Sequence, residues 1–458
     1  QVGGTTSAVA AQVITAGLVW MLGSELLFDP WQPNVLVLPF WLVICSIWAV
    51  VAGEVGTLPL AVGAGSFVMQ THLSYLFIVP ILLGFALGAA LIQRRHLGPG
   101  RFADLRQPVA RSVIVAGVLW AQPMWEQFFV GGRGNITRIM IAGTGGGDGP
   151  TVESTSTGFS VALRVLGSVL ALPPWWGRSG YDDSIPGSTW IETEGGRELS
   201  APGLRALAPS VVGLIVLGAI IALAWIHVRR IGAPALVAGF QTLAVAGGVA
   251  TLTVIITPID VLGLSPHKVR WLWVIGAFST YLLLMTVLAS VRADQRRGMV
   301  VALFAVAAIT IVASLPTHVN RSGPVYFRET YESIDDIRSQ LDDYFDTPGA
   351  PSAVMFDAEG IGFAEPYTAP VMAELLRNGV DLVVADTTLA RQLGPDRRLS
   401  ADESSGVRSL VFVRAGNAAT IMPDGAERIA FHDGDRSDFN LDDVTDRAVA
   451  VFVVKEPS

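Results

Sequence analysis

Several stretches of roughly 18 to 25 apolar residues with almost no charge constrain this chain more than any other feature. A helix of about 20 apolar residues crosses the ~30 Å hydrocarbon core of a bilayer. The composition agrees, because 51% of the 458 residues are hydrophobic and only 15% are charged, a charge content lower than soluble proteins usually have. The sequence therefore predicts a polytopic α-helical membrane protein and excludes an ordinary cytosolic enzyme.

The apolar runs predict about nine membrane spans. They cover residues 8–28, 35–53, 57–72, 74–92, 112–129, 208–228, 233–257, 271–291 and 298–315. Short loops rich in arginine tend to stay in the cytoplasm, and such loops occur at 93–111, 229–232 and 292–297. Counting spans between them predicts a cytoplasmic N-terminus, an external loop at 130–207 and an external C-terminal segment. If the short third run were re-entrant, only the first two spans would invert.

The chain divides by charge into two predicted domains, a transmembrane helical domain at 1–315 and a soluble domain at 316–458. The second carries 25 acidic and 13 basic residues, so it offers no basic surface for nucleic acid. Its pattern alternates between amphipathic helices and short apolar strands, which is typical of α/β domains. The predicted helices are Glu329–Phe345 and Pro366–Asn378, and the predicted strands are Ser352–Asp357, Asp381–Ala385, Leu410–Arg414 and Ala448–Val454.

The external loop contains a predicted amphipathic helix at Phe159–Leu172, which Trp175 and Trp176 follow closely. Such a helix lies in the membrane interface, and tryptophans are enriched at headgroup depth. We therefore expect this loop to lie along the outer membrane surface and to cover part of a cavity. The single cysteine, Cys45, lies in an apolar run and excludes an intrachain disulfide.

Polar residues near the ends of the spans form three candidate binding sites, because polar groups at membrane depth are costly and often mark a site. The first joins the third and fourth spans and contains Gln70, His72 and Tyr75. Gln70 and His72 can donate hydrogen bonds to a phosphate or a sugar hydroxyl. The alternative is a polar helix junction whose side chains bond to the backbone.

The second candidate site runs from the end of the fifth span into the external loop. Its residues are Gln122, Glu126, Arg133, Asn135 and Arg138. Guanidinium groups match the oxygens of a lipid phosphate, and the carboxylate of Glu126 could bind a sugar hydroxyl. The alternative is a structural ion pair at a helix end.

The third candidate site precedes the eighth span and contains His267, Lys268 and Arg270, with Trp271 and Trp273 beside them. Cationic groups next to interfacial tryptophans could bind an anionic headgroup. The alternative is that the long cationic side chains extend toward the interface while the tryptophans anchor the helix.

No metal site is predicted. Five aspartates, Asp433, Asp435, Asp438, Asp442 and Asp443, have a spacing similar to that of a calcium loop. The central glycine and the final glutamate of an EF-hand are missing, however. The sequence also contains no convincing Ser-His-Asp, zinc or Walker pattern.

Several short motifs occur in a fixed order over most of the chain. They are Asp29-Pro-Trp-Gln-Pro-Asn34, Pro39-Phe40, Trp48 before Gly53-Glu54, Ser66-Phe-Val-Met-Gln-Thr-His72, Pro123-Met-Trp-Glu-Gln127 before Gly134-Asn135, Arg270-Trp271-Leu-Trp273 and Leu393-Gly394. Taken together, this order resembles the later part of actinobacterial membrane glycosyltransferases of the GT-C class, which use polyprenyl-phosphate sugars.

The resemblance implies an enzyme that moves a sugar from a polyprenyl-phosphate donor to a cell-envelope glycan or glycolipid. It places the chain in the bacterial plasma membrane, with the C-terminal domain in the periplasm. In that class an acidic residue of the first external loop acts as the base, but here the first external loop is only residues 29–34. We therefore do not assign the base to Asp29, and if the chain is the later part of a longer protein, the base is expected upstream of Gln1. The cofactor is left open, and a divalent cation is compatible with the class.

Two other classes of function fit the same sequence pattern. A non-catalytic membrane scaffold would bind other envelope proteins through the C-terminal domain. A lipid or solute transporter is disfavoured, because no series of midspan carboxylates and no inverted repeat is visible. For a glycosyltransferase, the expected partners are a lipid-linked sugar donor, an envelope glycan acceptor and the membrane lipids.

Overall fold

The computed structural model describes residues 4–22, 32–97, 105–129, 134, 136–137, 156–171, 175, 189–193, 196–200, 204–257, 264, 266–291, 293–318, 330–357, 366–385, 393, 397, 409–433 and 448–455. The chain forms two compact units, Gln1–Pro324 and Val325–Ser458. The first is mainly helical, and the second is built around a five-stranded sheet.

The first unit has a helix at the position of each predicted span. Its helices are α1 (Gly4–Leu22), α2 (Val37–Val51), α3 (Leu58–Thr71), α4 (Tyr75–Leu97), α5 (Arg106–Phe129), α6 (Gly158–Leu166), α7 (Leu207–Arg230), α8 (Pro234–Ile256), α9 (Trp271–Ser290) and α10 (Ala293–His318). An antiparallel hairpin of β1 (Thr189–Thr193) and β2 (Gly196–Ser200) lies between α6 and α7 in sequence.

Six helices in the described part of the chain are long and apolar enough to cross a membrane. They lie at Gly4–Met21, Gln32–Val51, Tyr75–Ile92, Leu207–Arg230, Pro234–Ile256 and Trp271–Ser290. This finding supports a multi-span membrane protein. The other three predicted spans are also helical, but α3 has only 14 residues, α5 carries polar residues in its last two turns, and the apolar part of α10 is short. The number of nine spans and their direction stay predictions.

Aromatic side chains of α2 and α9 form part of the core of the first unit. The ring of Trp48 meets Phe278 at 6.1 Å and Tyr281 at 5.4 Å, both edge-on. Helix α8 approaches closely at Gly239, where an added Cβ would lie 2.5 Å from Cδ2 of Leu282. Lipid tails are as apolar as the surfaces of the helices, so no hydrophobic force drives two helices together in a membrane. Small residues at such contacts favour association because they let the helix backbones approach closely.

The helix predicted in the external loop is present as α6, which continues into a π-helical turn at Gly167–Ala171. Its side chains Val165 and Leu166 are buried, and the helix packs against α7 and α8. Just before it, the backbone N–H and the hydroxyl of Thr157 both donate to the carbonyl oxygen of Thr257 at 2.9 Å. The loop is thereby attached to the end of α8.

Trp175 is buried inside the first unit and does not lie on its surface. Its side chain is 2% exposed, and its Nε1 donates to Oγ1 of Thr280 at 3.0 Å. The ring fits between α1 and α9 because Gly17 and Gly276 face it, and a Cβ added there would lie 3.2 Å and 2.9 Å from the ring. Trp176 lies outside the described residues.

The second unit contains α11 (Tyr331–Phe345), α12 (Thr368–Arg377) and the strands β3 (Ala353–Asp357), β4 (Asp381–Val384), β5 (Ser409–Ala415), β6 (Ala426–His432) and β7 (Val449–Lys455). The strand order is β4-β3-β5-β7-β6. Strand β3 pairs in parallel with β4 and β5, while β7 pairs antiparallel with β5 and β6. The predicted helices and strands are confirmed. Strand β6 was not predicted, because a register shift between Arg428 and Ala430 breaks its alternation.

Helices α11 and α12 cover one face of this sheet, where Leu375 packs in the same buried cluster as Val354. Glu374 is 1% exposed and accepts hydrogen bonds from Nε of Arg338 at 2.9 Å and from Nε of Arg377 at 2.6 Å. A buried carboxylate is tolerated only when it is paired in this way. The acidic unit therefore has its own apolar core and its own internal ion pairs.

Candidate functional site

The first predicted polar site lies at a sharp turn between α3 and α4. His72 has an extended backbone (φ −147°, ψ 131°), which ends α3. Its N–H still donates to the carbonyl oxygen of Val68 at 3.1 Å, and the N–H of Tyr75 donates to the carbonyl oxygen of His72 at 3.2 Å. The turn thus satisfies its own backbone groups, and the side chains of Gln70, Thr71 and Ser74 bond to backbone carbonyl oxygens, as the structural alternative predicts.

The imidazole of His72 is oriented by the turn. The N–H of Ser74 donates to Nδ1 of His72 at 3.3 Å, so the neutral ring carries its proton on Nε2. In its neutral form His72 therefore donates a hydrogen bond from Nε2.

The structure brings the first and third predicted sites together. The hydroxyl of Ser74 donates to the carbonyl oxygen of Lys268 at 3.2 Å, and Nε1 of Trp271 donates to the same oxygen at 3.1 Å. Lys268 lies in the short 3-10 turn Pro266–Val269, directly before α9. Two donors on one carbonyl hold this turn against the junction of α3 and α4.

Arg270 adds a buried positive charge at the start of α9. Its side chain is 1% exposed, and the neighbouring Trp271 and Trp273 are buried as well. Because the protein interior screens charge less than water does, a buried guanidinium exerts a stronger field than an exposed one. The positive end of the α9 dipole has the same sign.

The junction cluster consists of His72, Ser74, Tyr75, Lys268 and Arg270. It combines a neutral N–H donor, a lysine ammonium and a buried guanidinium at the meeting point of three helices. Groups of this kind bind phosphate or carboxylate oxygens. In the described part of the chain, no three histidine, cysteine, aspartate or glutamate side chains come close enough to hold a metal ion.

Gln70 of the first predicted site contacts α5, the helix that carries Gln122 and Glu126 of the second. Nε2 of Gln70 donates to the carbonyl oxygen of Leu119 in α5 at 3.0 Å. Gln122 follows about one turn further along α5 and is exposed, and Glu126 is partly buried another turn on. Gln70 therefore links the end of α3 to the polar end of α5.

Four of the predicted site residues have no described side chain. Arg133, Asn135 and Arg138 lie outside the described residues, and only the backbone of His267 is described. Their predicted roles in binding stay predictions.

Sequence analysis missed two residues that surround the junction cluster. The ring of Phe40 meets Tyr75 edge-on at 5.0 Å. Asn34 is fully buried, and its short helix Gln32–Val35 packs against the turn that carries Lys268. The polar motif that ends at Asn34 was a visible signal, but nothing in the sequence placed it beside residues 266–269.

No family model, curated protein or solved structure matches this chain. The interpretation of the site therefore rests on its own geometry and on the sequence motifs.

Proposed function

We propose that the chain is a glycosyltransferase, or the larger part of one, that moves a sugar from a polyprenyl-phosphate donor to a cell-envelope glycan or glycolipid on the outer face of the membrane. The observation that carries this proposal is the bond from the Ser74 hydroxyl to the backbone carbonyl of Lys268, which joins the turn of His72 to the segment that carries the half-buried Lys268 and the buried Arg270. The order of short motifs supports the same class of enzyme.

The reaction requires chemistry that the junction cluster is suited to assist. The acceptor oxygen forms a bond to the anomeric carbon, the bond from that carbon to the phosphate oxygen breaks, and the prenyl phosphate leaves with the electron pair. The acceptor proton passes to a base. Cationic groups fixed beside the phosphate stabilise the charge that develops on it. Lys268 and the Nε2–H of His72 would contact the phosphate. The buried guanidinium of Arg270 would act on it from within the protein as a fixed positive charge.

A transfer assay in membranes tests this proposal. Membranes that contain the chain would be incubated with a panel of polyprenyl-phosphate sugars labelled in the sugar, and label in the envelope glycan would be counted. Lys268→Met and His72→Ala are each expected to lower transfer about ten- to a hundredfold, because each removes one charge-assisted hydrogen bond of about 1.5–3 kcal/mol. Arg111→Gln is the matched control, since it removes an exposed arginine from the other end of α5. Unchanged transfer in both junction variants would refute the proposal.

A membrane scaffold is the second candidate. It is favoured by two apolar side chains on the second unit, Ile421 and Met422, which are 66% and 53% exposed and could contact an envelope protein. The two functions are separable in a strain that lacks the chain. If the chain is a scaffold, the His72→Ala/Lys268→Met double variant should rescue that strain and the Ile421→Ser/Met422→Ser variant should not. If the chain is a glycosyltransferase, the reverse is expected.

A further inference from the structure

Helix α3 is too short to cross a bilayer of ordinary thickness. It has 14 residues, which span about 21 Å at 1.5 Å per residue, whereas the hydrocarbon core is about 30 Å thick. The neighbouring helix α4 has 23 residues and spans about 35 Å. Yet α3 packs against α2 and α4, both of which overlap candidate spans. A bilayer that surrounds these helices would have to adapt to the shorter α3.

Helix α5 lies beside α3 and runs in the same direction. A Cβ added at Gly63 would lie 3.5 Å from Val115. Further along, Nε1 of Trp120 donates to Oγ of Ser66 at 3.0 Å, and the contact of Gln70 with α5 comes last. These contacts show that the two helices lie side by side and that the C-terminal end of α3 is level with Leu119 and Trp120 of α5, about one turn before Gln122.

The apolar part of α5 is shorter still. Arg111 and Gln122 bound the ten residues 112–121, which span about 15 Å. Within this stretch the apolar side chains point outward: Val113 is 65% exposed and Val118 is 70% exposed. Gln122 is also exposed, and it makes no hydrogen bond with the described residues. A bare amide of this kind is costly in hydrocarbon, so its level marks a polar environment.

An aromatic group follows Gln122 within about one turn. Trp125 and Phe129 stack at 4.4 Å and are 63% and 69% exposed, and Phe128 is 68% exposed. The chain turns back at this level, where Nε2 of Gln127 donates to Oγ1 of Thr137 at 2.6 Å. Exposed aromatic rings mixed with polar groups are typical of the level of lipid headgroups.

We propose that α3 and α5 form a corner that faces lipid and holds the bilayer locally thin, so that headgroups come down to the level of Gln70 and Gln122. The occupant of the exposed face of α5 is the bilayer. The distribution of side chains supports this assignment, since arginines lie at one end of α5, exposed aliphatic residues in the middle and aromatic residues at the other end. A bilayer adapts to a short span by thinning, at a modest cost per ångström of mismatch.

The thin corner has a consequence for the site. Gln70 lies at the level of the corner, and His72 of the junction cluster is two residues further along the chain. A headgroup drawn down at this corner would therefore come close to the junction cluster without its lipid leaving the membrane. The corner is independent of the proposed glycosyl transfer, because the lengths and exposures of α3 and α5 do not depend on a substrate.

Fluorophore depth in vesicles tests the proposal on the full chain. In a Cys45→Ala background, single cysteines would replace Gln122 and Val118, and a control cysteine would replace Ile220 near the middle of the 24-residue helix α7. Each would carry an environment-sensitive fluorophore in dioleoylphosphatidylcholine vesicles. Lipids with a nitroxide in the headgroup, near the ester groups or near the chain ends would then quench it.

The proposal predicts that the headgroup nitroxide quenches the fluorophore at residue 122 best and that the chain-end nitroxide quenches the one at residue 220 best. The fluorophore at residue 118 is expected to be quenched best by the nitroxide near the ester groups. Strongest quenching of residue 122 by the chain-end nitroxide would overturn the proposal, because the bilayer would then not be thinned. Failure of every nitroxide to quench residues 118 and 122 would also overturn it, because protein would then cover the corner.

Discussion

The hydroxyl of Ser74 donates a hydrogen bond at 3.2 Å to the carbonyl oxygen of Lys268, which lies 194 residues further along the chain. This bond joins two polar segments that the sequence presents as separate sites. It holds the lysine turn against the junction of α3 and α4, and so it brings Lys268 and Arg270 to the same place as His72. The proposed binding of a phosphate depends on that arrangement.

Ser74→Ala is expected to weaken the attachment of the lysine turn. Loss of one hydrogen bond lowers the free energy of unfolding by about 0.5–1.5 kcal/mol, while the carbonyl oxygen of Lys268 still accepts from Nε1 of Trp271. Binding of farnesyl phosphate should weaken as well, measured by titration of the purified chain. Thr71→Val is the control, because the Thr71 hydroxyl donates to the carbonyl oxygen of Phe67 in its own helix. Equal effects of the two substitutions would contradict this role of Ser74.

Trp175 is expected to contribute strongly to the stability of the first unit. Trp175→Ala should lower the free energy of unfolding by about 3–5 kcal/mol, because it leaves a cavity between α1 and α9. Trp175→Phe keeps an aromatic ring but loses the hydrogen bond to Thr280, at a cost of about 1 kcal/mol. Unfolding in detergent measures both. Trp125 is 63% exposed, so Trp125→Ala should change the free energy of unfolding little. A loss as large as that of Trp175→Ala would show that burial does not explain the contribution of Trp175.

Gln340 is expected to protect an edge strand of the second unit. Its Nε2 donates to the carbonyl oxygen of Phe431, and its Oε1 accepts from the N–H of the same residue, both at 2.9 Å. Gln340→Ala should lower the free energy of unfolding by about 1–3 kcal/mol and should promote self-association, because free edge groups pair with other chains. The fragment 324–458 has its own core and is expected to fold alone, so chemical denaturation and light scattering can use it. Gln340→Glu keeps the acceptor, so its free energy of unfolding should lie between those of the wild type and Gln340→Ala. A Gln340→Ala fragment that is monomeric and as stable as the wild type would contradict the prediction.

The hydrogen bond between His432 and Asp336 should stabilise the second unit near neutral pH, and this contribution should be lost in acid. Nδ1 of His432 lies 2.8 Å from Oδ2 of Asp336, and this hydrogen bond, with a second from Gln340, lowers the pKa of the Asp336 carboxyl. A carboxyl whose pKa is lower in the folded state stabilises that state above its unfolded pKa, which is about 3.9. The contribution is lost as the pH falls through the folded-state pKa.

Thermal unfolding of the fragment between about pH 2.5 and pH 6 measures this effect. The wild type should exceed Asp336→Asn in melting temperature at the upper end of this range, and the two curves should approach each other at the lower end. Because Asp336 is 46% exposed, the difference is expected to be small and to shrink further in salt. Parallel curves over the whole range would show that Asp336 does not titrate differently in the folded state.

Much of this fold follows from local pattern. Apolar length predicted the position of the helices at the nine expected spans, an amphipathic pattern predicted α6, and the alternation of strand and helix predicted most of the second unit. Trp175 shows the limit of such reasoning. A tryptophan near an amphipathic helix is usually interfacial, and only the distant glycines Gly17 and Gly276 decide that this one is buried. Strand β6 was missed because its register shift hides the period of two.

The site was predictable as residue types but not as an arrangement. His72 and Lys268 were identified because polar groups at the ends of spans are costly and therefore informative. Their proximity depends on the bond between Ser74 and Lys268, and no spacing in the sequence encodes a contact over that distance. No pattern in the sequence indicates that Arg270 is buried, because interfacial arginines usually extend into water.

Equilibrium binding of a prenyl phosphate to the purified full chain tests the central claim most directly. Calorimetric titration would compare farnesyl phosphate with farnesol, which has the same chain but no phosphate. The proposal predicts that farnesyl phosphate binds and farnesol does not, and that His72→Ala and Lys268→Met each weaken binding about ten- to a hundredfold while Arg111→Gln leaves it unchanged. Equal binding of the two ligands, or wild-type affinity in both junction variants, would contradict the account.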